Sequence, residues 1–262
     1  VPGSLITALD GVALRASEDY YPLLSDKVGK RFLVSFRTPS GEAVDEVIRP
    51  ISSSALSRLL YQRWVKQRAD EVDRLSHGRL GYVHIPSMGD PSFRTVYSDV
   101  LGKYYQRDGI VIDIRYNGGG RLHEDIEAFF TGKYYADQVV RGEQYSRMAS
   151  RRWTKPSVLV TCEADYSNAH GTPWVYQHLK VGKVVGMPVA GTMTSVNWVT
   201  LLDPSLFFGI PAVGFRVLDG RYLENTEMVP DVIVPLDPTK ALKGQDSQIE
   251  KAVEVLRAET KK

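Results

Sequence analysis

The stretch DIRYNGGG, residues 113–120, ends an apolar run that begins at residue 109 and precedes an amphipathic segment at residues 123–130. This order predicts a β-strand that ends in an exposed glycine turn and is followed by a helix. Three glycines let the backbone adopt positive φ and let a ligand approach bare amide groups. Such a turn can bind an anion or an oxyanion, and a tight structural turn explains the same residues equally well.

Strand-like and helix-like segments alternate from residue 78 onward. The predicted strands cover residues 79–85, 110–114, 157–160 and 183–186, and the predicted helices cover residues 93–105, 125–130 and 169–179. This alternation indicates an α/β core in which helices pack on a largely parallel sheet. A charged amphipathic helix is predicted at residues 246–258.

The first part of the chain has a different pattern. Residues 1–50 alternate short apolar strands with turns, which predicts a small β-rich module too short for a robust core. From residue 53, leucines and a tryptophan recur at helical spacing, and the pattern continues in polar form to residue 75. We therefore expect a helix that connects the small module to the α/β core.

The composition indicates a globular protein with one sizeable core. The chain has 262 residues, a net charge of +2 with acids and bases interspersed, and one cysteine, Cys162. This balance gives no field that would favour nucleic acid or an anionic membrane, and no apolar segment reaches membrane-spanning length. A disulfide within the chain is excluded, and the position of Cys162 after an apolar run favours a buried thiol over a nucleophile.

A second unusual loop follows the predicted strand that begins at residue 157. It reads CEADYSNAHG, residues 162–171, and places Ser167 at the predicted start of a helix. In open α/β sheets ligands bind at the carboxyl ends of the strands, so we expect this loop and the glycine turn to face one crevice. Ser167 is either an N-cap residue or a nucleophile whose oxyanion is stabilised by nearby amides.

These two loops together resemble the core of the tricorn protease and of the related C-terminal processing, or tail-specific, peptidases. The resemblance covers most of residues 78–235 and has four elements in the family's order. They are GYVHIPSM at residues 81–88, DIRYNGGG at residues 113–120, Ser167-Asn168-Ala169, and ENTEMVPD at residues 224–231. The resemblance implies a crotonase/ClpP-like core of mainly parallel strands with helices.

The resemblance also implies a function and a set of site residues. Ser167 would attack the scissile carbonyl, and amides of Gly118, Gly119 and Asn168 would form the oxyanion hole. Glu224 would orient the base or its serine partner. The implied partner is a peptide or unfolded polypeptide substrate, the implied assembly is a homo-oligomer, and no cofactor or metal is expected. The compartment, cytoplasm or bacterial periplasm, is left open.

The sequence departs from the family pattern at two places. Asn168 stands where the family usually has aspartate or alanine, and GMPVAGTM at residues 186–193 lacks the base lysine of tail-specific members. Thr192 cannot replace that lysine. The tricorn type takes a base histidine from a preceding domain, so we expect the base to come from sequence upstream of Val1 and the chain as given to have little or no peptidase activity.

The resemblance extends to the domain organisation. Residues 1–52 resemble the latter part of a PDZ domain, residues 53–76 a linker helix, residues 77–245 the peptidase core, and residues 246–262 a C-terminal helix. The first strands of the PDZ-like module are expected to be absent. Val1 is then an internal residue of a longer protein.

The histidines are the candidate bases within the chain. His170 lies three residues after Ser167 on the same predicted helix, which makes it the possible local base, although a helix-surface role explains it more simply. Ser76-His77 is interpreted as a turn, His84 as a packed strand residue and His123 as a helix-start residue.

Two other functions remain open. The first is a noncatalytic peptide-binding or assembly protein that keeps the peptidase fold, which the missing lysine and the unplaced histidine motivate. The second is a crotonase-like enzyme that stabilises a thioester enolate, which ranks last because the sequence shows no adenine or pantetheine site.

Overall fold

The structure is a computed structural model that describes residues 2–260. The chain divides into two compact units, Val1–Trp64 and Val65–Lys262, and the boundary falls within a long helix. In the described residues, no helix is long and apolar enough to cross a membrane.

The first unit contains a four-stranded antiparallel sheet. Its strands are β1 (Leu5–Leu9), β2 (Val12–Ala13), β3 (Phe32–Arg37) and β4 (Ala43–Ile48), in the order β2-β1-β3-β4. The short helix α1 (Tyr21–Leu24) lies between β2 and β3 in the chain, and α2 (Ser53–Ser76) follows β4. The expected PDZ-like module is not confirmed, whereas the predicted helix at residues 53–76 forms with those bounds.

The second unit alternates strands and helices. Its elements are β5 (Leu80–His84), α3 (Asp90–Ser98), β6 (Gly109–Asp113), α4 (His123–Phe130), β7 (Ala136–Val140), β8 (Glu143–Met148), β9 (Ser157–Thr161), α5 (Asn168–His178), β10 (Lys183–Gly186), β11 (Ser195–Thr200), β12 (Phe207–Val213), β13 (Val232–Ile233), α6 (Pro238–Leu242) and α7 (Ser247–Glu259). A π-helical turn, Asp99–Lys103, continues α3.

The core of this unit is a five-stranded parallel sheet in the order β13-β10-β9-β6-β5. Every residue of β5, β6 and β9 is buried, as expected for strands covered on both faces. Alternate residues enter two apolar clusters: Ile110 and Ile112 pack with residues of α3, α4 and α5, and Val111 packs with α7. The carboxyl ends of β6 and β9 therefore lie side by side.

Two antiparallel hairpins lie outside the main sheet. They are β7–β8 and β11–β12. The helix predicted at residues 93–105 begins earlier, at Asp90, because Pro91 suits a first helical turn, and it passes into the π-helical turn. The α/β class predicted from the alternation is confirmed, and the two loops after β6 and β9 are placed next to each other by the strand order.

Candidate active site

A buried asparagine shapes the glycine turn, residues 117–120, that follows β6. The Asn117 side chain is fully buried, and its Nδ2 donates to the Ile85 carbonyl at 2.8 Å. Its Oδ1 accepts the Gly119 amide N–H at 2.8 Å. Gly119 and Gly120 have φ of +96° and +134°, and a Cβ on Gly120 would lie 2.1 Å from the Met88 carbonyl oxygen. Only glycine fits this close approach.

Ser167 lies at the start of α5 in an uncommon backbone conformation. Its φ is 56° and its ψ is −119°, and its side chain makes no capping hydrogen bond. Among residues 2–260, the Oγ has no hydrogen-bond partner, and the side chain is half-buried. In α/β-hydrolases, a strained turn between a strand and a helix exposes a nucleophilic hydroxyl. The N-cap alternative does not account for the Ser167 side chain.

The glycine turn and the Ser167 loop are in direct contact. The Tyr166 amide donates to the Asn117 carbonyl at 2.9 Å. A Cβ built on Gly119 would lie 2.6 Å from the Ser167 Cβ. The structure thus brings together the two loops that the sequence associates with chemistry.

Two amide groups in the loops next to Ser167 have no protein acceptor among the described residues. The N–H groups of Gly118 and Asn168 donate to no protein group within residues 2–260, whereas the Gly119 amide is engaged by Asn117. Asn168 is the residue after Ser167 and begins α5. Two amides from different loops can converge on an oxyanion, and the positive end of the helix adds to their effect. Gly119 therefore contributes close packing against Ser167 rather than a free donor.

The segment after β10 links Ser167 to Glu224. The Ser167 amide donates to Thr192 Oγ1 at 2.9 Å, and the Thr194 amide donates to Glu224 Oε2 at 2.7 Å. The Asn225 amide also donates to the Gly191 carbonyl at 2.9 Å. Glu224 is thus joined to the Ser167 loop through this segment, and no direct hydrogen bond joins the two side chains among the described residues.

His170 is buried on α5. Its Nε2–H donates to the Thr226 carbonyl at 2.9 Å, and its Nδ1 has no hydrogen-bond partner in the described part of the chain. Burial lowers the pKa of His170 below its usual value, with the Thr226 carbonyl and Glu224 acting in the opposite direction. The ring connects α5 to the segment after Glu224, and none of its hydrogen bonds reaches Ser167.

The remaining histidines of interest have structural partners. Ser76 Oγ accepts the Leu80 amide at 3.1 Å, and His77 has a φ of 53°, so this pair forms the predicted turn at the end of α2. His123 is at the start of α4, and its Nδ1 lies 2.8 Å from Asn168 Nδ2. His84 belongs to the buried strand β5.

A buried network of charged side chains lies at the carboxyl end of β6, just before the glycine turn. The Arg115 guanidinium lies 2.7 Å from Asp113 and 2.9 Å from Asp246, and Tyr82 donates to Asp113 at 2.8 Å. Arg68 joins the network through Asp246 at 3.1 Å. Desolvation would raise the pKa of Asp113, but Arg115 outweighs it and holds the pKa below its usual value. These groups fix the end of β6.

A second buried carboxyl lies two residues before Ser167. Asp165 accepts the Cys162 amide at 3.0 Å and, through a longer contact of 3.3 Å, the Asn117 amide. Burial raises the pKa of Asp165 to about 8, against the effect of these two amides. Burial likewise raises the pKa of the Cys162 thiol to about 12, so Cys162 is a packed thiol rather than a nucleophile.

A mostly apolar pocket of about 260 Å³ lies next to these loops. Its walls include Trp174, Met193, Phe215 and Leu223, and His123 also lines it. Met193 directly follows Thr192, and His123 contacts Asn168, so the pocket adjoins the Ser167 loop on two sides. Its size suits one side chain rather than a larger ligand.

Sequence reasoning missed three parts of this site. Thr192 was considered only as a base, although a hydroxyl that can hold an amide was a usable signal. Asp165 carried a usable signal, because it is an acidic residue two positions before Ser167. The pocket had no signal in the sequence, because the residues that line it are spread between positions 123 and 223. Within residues 2–260, no cluster of three or more His, Cys, Asp or Glu side chains could hold a metal ion.

Comparisons with known proteins identify a family and several relatives. Residues 79–234 match the sequence model of a protein family that is described as peptidase family S41. The tricorn protease of Thermoplasma acidophilum is 27% identical over 263 residues, which cover 97% of this chain and 24% of that protein. Tricorn protease homolog 1 of Streptomyces coelicolor is 28% identical over 260 residues, with 96% of this chain and 23% of that protein covered.

The fold comparison gives the same result. A crystal structure of the tricorn protease superposes with a TM-score of 0.83 at 25% identity, and the match covers 99% of this chain and 25% of that chain. The chain therefore spans about a quarter of the length of these relatives.

Proposed function

Because this chain belongs to peptidase family S41, we propose that it carries the nucleophile and the oxyanion hole of a serine peptidase that cleaves peptides or unfolded polypeptides. The observation that carries the proposal is the position of Ser167. Its side chain is not used as a helix cap, and the free amides of Gly118 and Asn168 lie in the two loops around it.

The proposed reaction is acyl transfer through Ser167. A base removes the Oγ proton as Oγ attacks the scissile carbonyl carbon, and the carbonyl oxygen becomes an oxyanion. The amides of Gly118 and Asn168 donate to this oxyanion. The protonated base then gives its proton to the leaving amine as the C–N bond breaks, and water hydrolyses the acyl-enzyme in the same way.

We assign the base to residues outside this sequence. His170 is buried with Nε2 bonded to Thr226, and His123 is bonded through Nδ1 to Asn168. Thr192 is engaged by the Ser167 amide. Glu224 lies on the segment joined to Ser167 through Thr192 and Thr194, which supports a role for its carboxylate in orienting such a base.

A covalent probe tests the proposal on the intact protein. A fluorophosphonate should phosphonylate Ser167, and peptide mapping should find the adduct on that residue alone. The Ser167→Ala variant should lose the adduct, and the Ser195→Ala variant, altered at an exposed serine of β11, should keep it. An intact, folded protein without an adduct on Ser167 would contradict the proposal.

A second function is a noncatalytic peptide-binding protein with the same fold. The engaged histidines favour it, because within residues 2–260 no basic side chain hydrogen-bonds Ser167 Oγ. This alternative predicts that peptides bind with equal affinity to the unaltered protein and to the Ser167→Ala variant, with no turnover in the intact protein.

A further inference from the structure

The side chain of Asn168 has a fixed orientation. Its Oδ1 accepts two amides at the start of α4, from Leu122 at 2.9 Å and from His123 at 3.2 Å. Two N–H donors converge on this atom, so it must be the oxygen, and the other terminal atom is the NH₂ group. The side chain is almost fully buried, with 3% of its surface exposed.

This orientation decides which nitrogen of His123 carries the proton. The Asn168 NH₂ group lies 2.8 Å from His123 Nδ1. An NH₂ group can only donate, so Nδ1 accepts, and the proton of the neutral imidazole is on Nε2. Aspartate or alanine at position 168 would not impose this tautomer, because neither offers a donor to Nδ1.

His123 is one of the residues that line the pocket beside Ser167. The imidazole lines the pocket and meets the Phe215 ring edge-on, with ring centroids 6.0 Å apart and an interplanar angle of 83°. Within the described residues, Nε2 has no protein acceptor. The surrounding walls of Trp174, Met193 and Leu223 offer no acceptor side chain either. His123 is half-buried, so its Nε2–H is open to an acceptor on a ligand that enters the pocket.

We propose that His123, held as the Nε2–H tautomer by Asn168, is a specificity-determining residue that selects a tyrosine side chain of the peptide substrate. This inference rests on the proposed function in taking a peptide as the ligand. Tyrosine offers an aromatic body for the apolar walls and a phenolic oxygen that accepts the N–H. Arg216 and His178 also line the pocket, but Arg216 is exposed and its charge is solvated, so a glutamate would lose more by entering apolar surroundings than it gains.

The tautomer is tested without any enzymatic activity. Long-range ¹H–¹⁵N correlation spectra of the imidazole rings should show His123 as the Nε2–H form at neutral pH, and the Asn168→Ala variant should lose that preference. Spectra in which His123 carries its proton on Nδ1 in the unaltered protein would overturn the inference.

Recognition is tested by binding to the Ser167→Ala variant, in which no turnover can occur. The ligands are three acetylated tripeptides that are identical except for a final tyrosine, phenylalanine or glutamate. The tyrosine peptide should bind about fivefold more tightly than the phenylalanine peptide, as one neutral hydrogen bond provides. The added His123→Asn substitution keeps an acceptor for Asn168 but lacks the Nε2 donor, and it should abolish this difference.

The control adds His77→Asn, at an exposed turn of positive φ that suits asparagine, and should keep the fivefold difference. Equal binding of the tyrosine and phenylalanine peptides, preferred binding of the glutamate peptide, or a difference that persists in the His123→Asn variant would overturn the inference. If Ser167 is not labelled by the fluorophosphonate but the tyrosine preference is found, the peptidase proposal fails and this inference stands. If Ser167 is labelled but the tyrosine preference is absent, the peptidase proposal stands and this inference fails.

Discussion

Gly119 packs directly against Ser167, so that a Cβ on Gly119 would lie 2.6 Å from the Ser167 Cβ. Gly119 also has a φ of +96°, and its amide is engaged by Asn117 Oδ1 at 2.8 Å. The glycine turn and the Ser167 loop therefore have one relative position, which leaves the amides of Gly118 and Asn168 available.

The Gly119→Ala substitution should abolish peptidase activity of the intact protein. The new methyl group must displace Ser167 or the turn, and the positive φ adds strain of about 1–3 kcal/mol. The matched control is Gly102→Ala in the π-helical turn, where a Cβ would meet nothing within 4 Å and φ is not positive. Comparable loss of activity in both variants, measured as kcat/KM on one peptide substrate, would show that contact with Ser167 is not the cause.

The Thr192→Val substitution removes the acceptor of the Ser167 amide without changing the size of the side chain. We expect kcat to fall about tenfold, because the Ser167 loop loses a hydrogen bond worth about 1 kcal/mol and the amide is left unpaired. KM should change little. Thr194→Val is the control, since the Thr194 contact with Glu224 uses its backbone amide. A Thr192→Val enzyme with unaltered kcat would exclude the positioning role.

Asp165 should make stability depend on pH. Its pKa of about 8 in the folded protein lies above the unfolded value of about 3.9, so the folded state holds a proton that the unfolded state releases between these values. The free energy of unfolding should therefore fall as pH rises from about 4 to about 8. Burial of the ionised carboxyl then costs stability above that range.

Urea unfolding near pH 5 and near pH 8 measures this effect. The Asp165→Asn variant should lose this part of the pH dependence, whereas Glu163→Gln, at an exposed position in the same loop, should keep it. If the free energy of unfolding changes with pH equally in the wild-type protein and in the Asp165→Asn variant, Asp165 titrates with an ordinary pKa.

The buried network below the glycine turn should matter more than the surface ion pairs. Asp246→Asn leaves the Arg115 guanidinium with a weaker partner in a buried place, and removing one member of such a pair costs about 3–5 kcal/mol. Asp90→Asn breaks the exposed pair with Arg94 and should leave stability unchanged. Equal midpoints of denaturation for both variants would contradict the assigned role of the network.

The sequence predicted the α/β core because its strands are short continuous apolar runs and its helices are amphipathic. The bounds of α2 and β10 match the predicted ranges, 53–76 and 183–186. The sequence pattern does not locate the hairpin β11–β12, because Trp198 and Phe207 are apolar but exposed and so do not mark a buried face. The PDZ-like module is not confirmed, and small antiparallel sheets of other kinds share the same turns.

The site was predictable where its chemistry is local. Ser167 and the glycine turn stand out in the sequence, and the strand order places their loops side by side. The partners of His170 and His123 were not predictable, because Thr226 and Asn168 lie 56 and 45 residues away and only the folded chain brings them close. The same holds for the Gly119 amide, whose engagement depends on the side-chain rotamer of Asn117.

The central claim is that Ser167 is a nucleophile facing an oxyanion hole, and a crystal structure of the intact protein treated with a peptidyl fluorophosphonate tests it most directly. The account predicts a covalent bond from Ser167 Oγ to phosphorus, with a phosphoryl oxygen within hydrogen-bond distance of the amides of both Gly118 and Asn168. An unmodified Ser167, or an adduct whose oxygens face away from both amides, would contradict it.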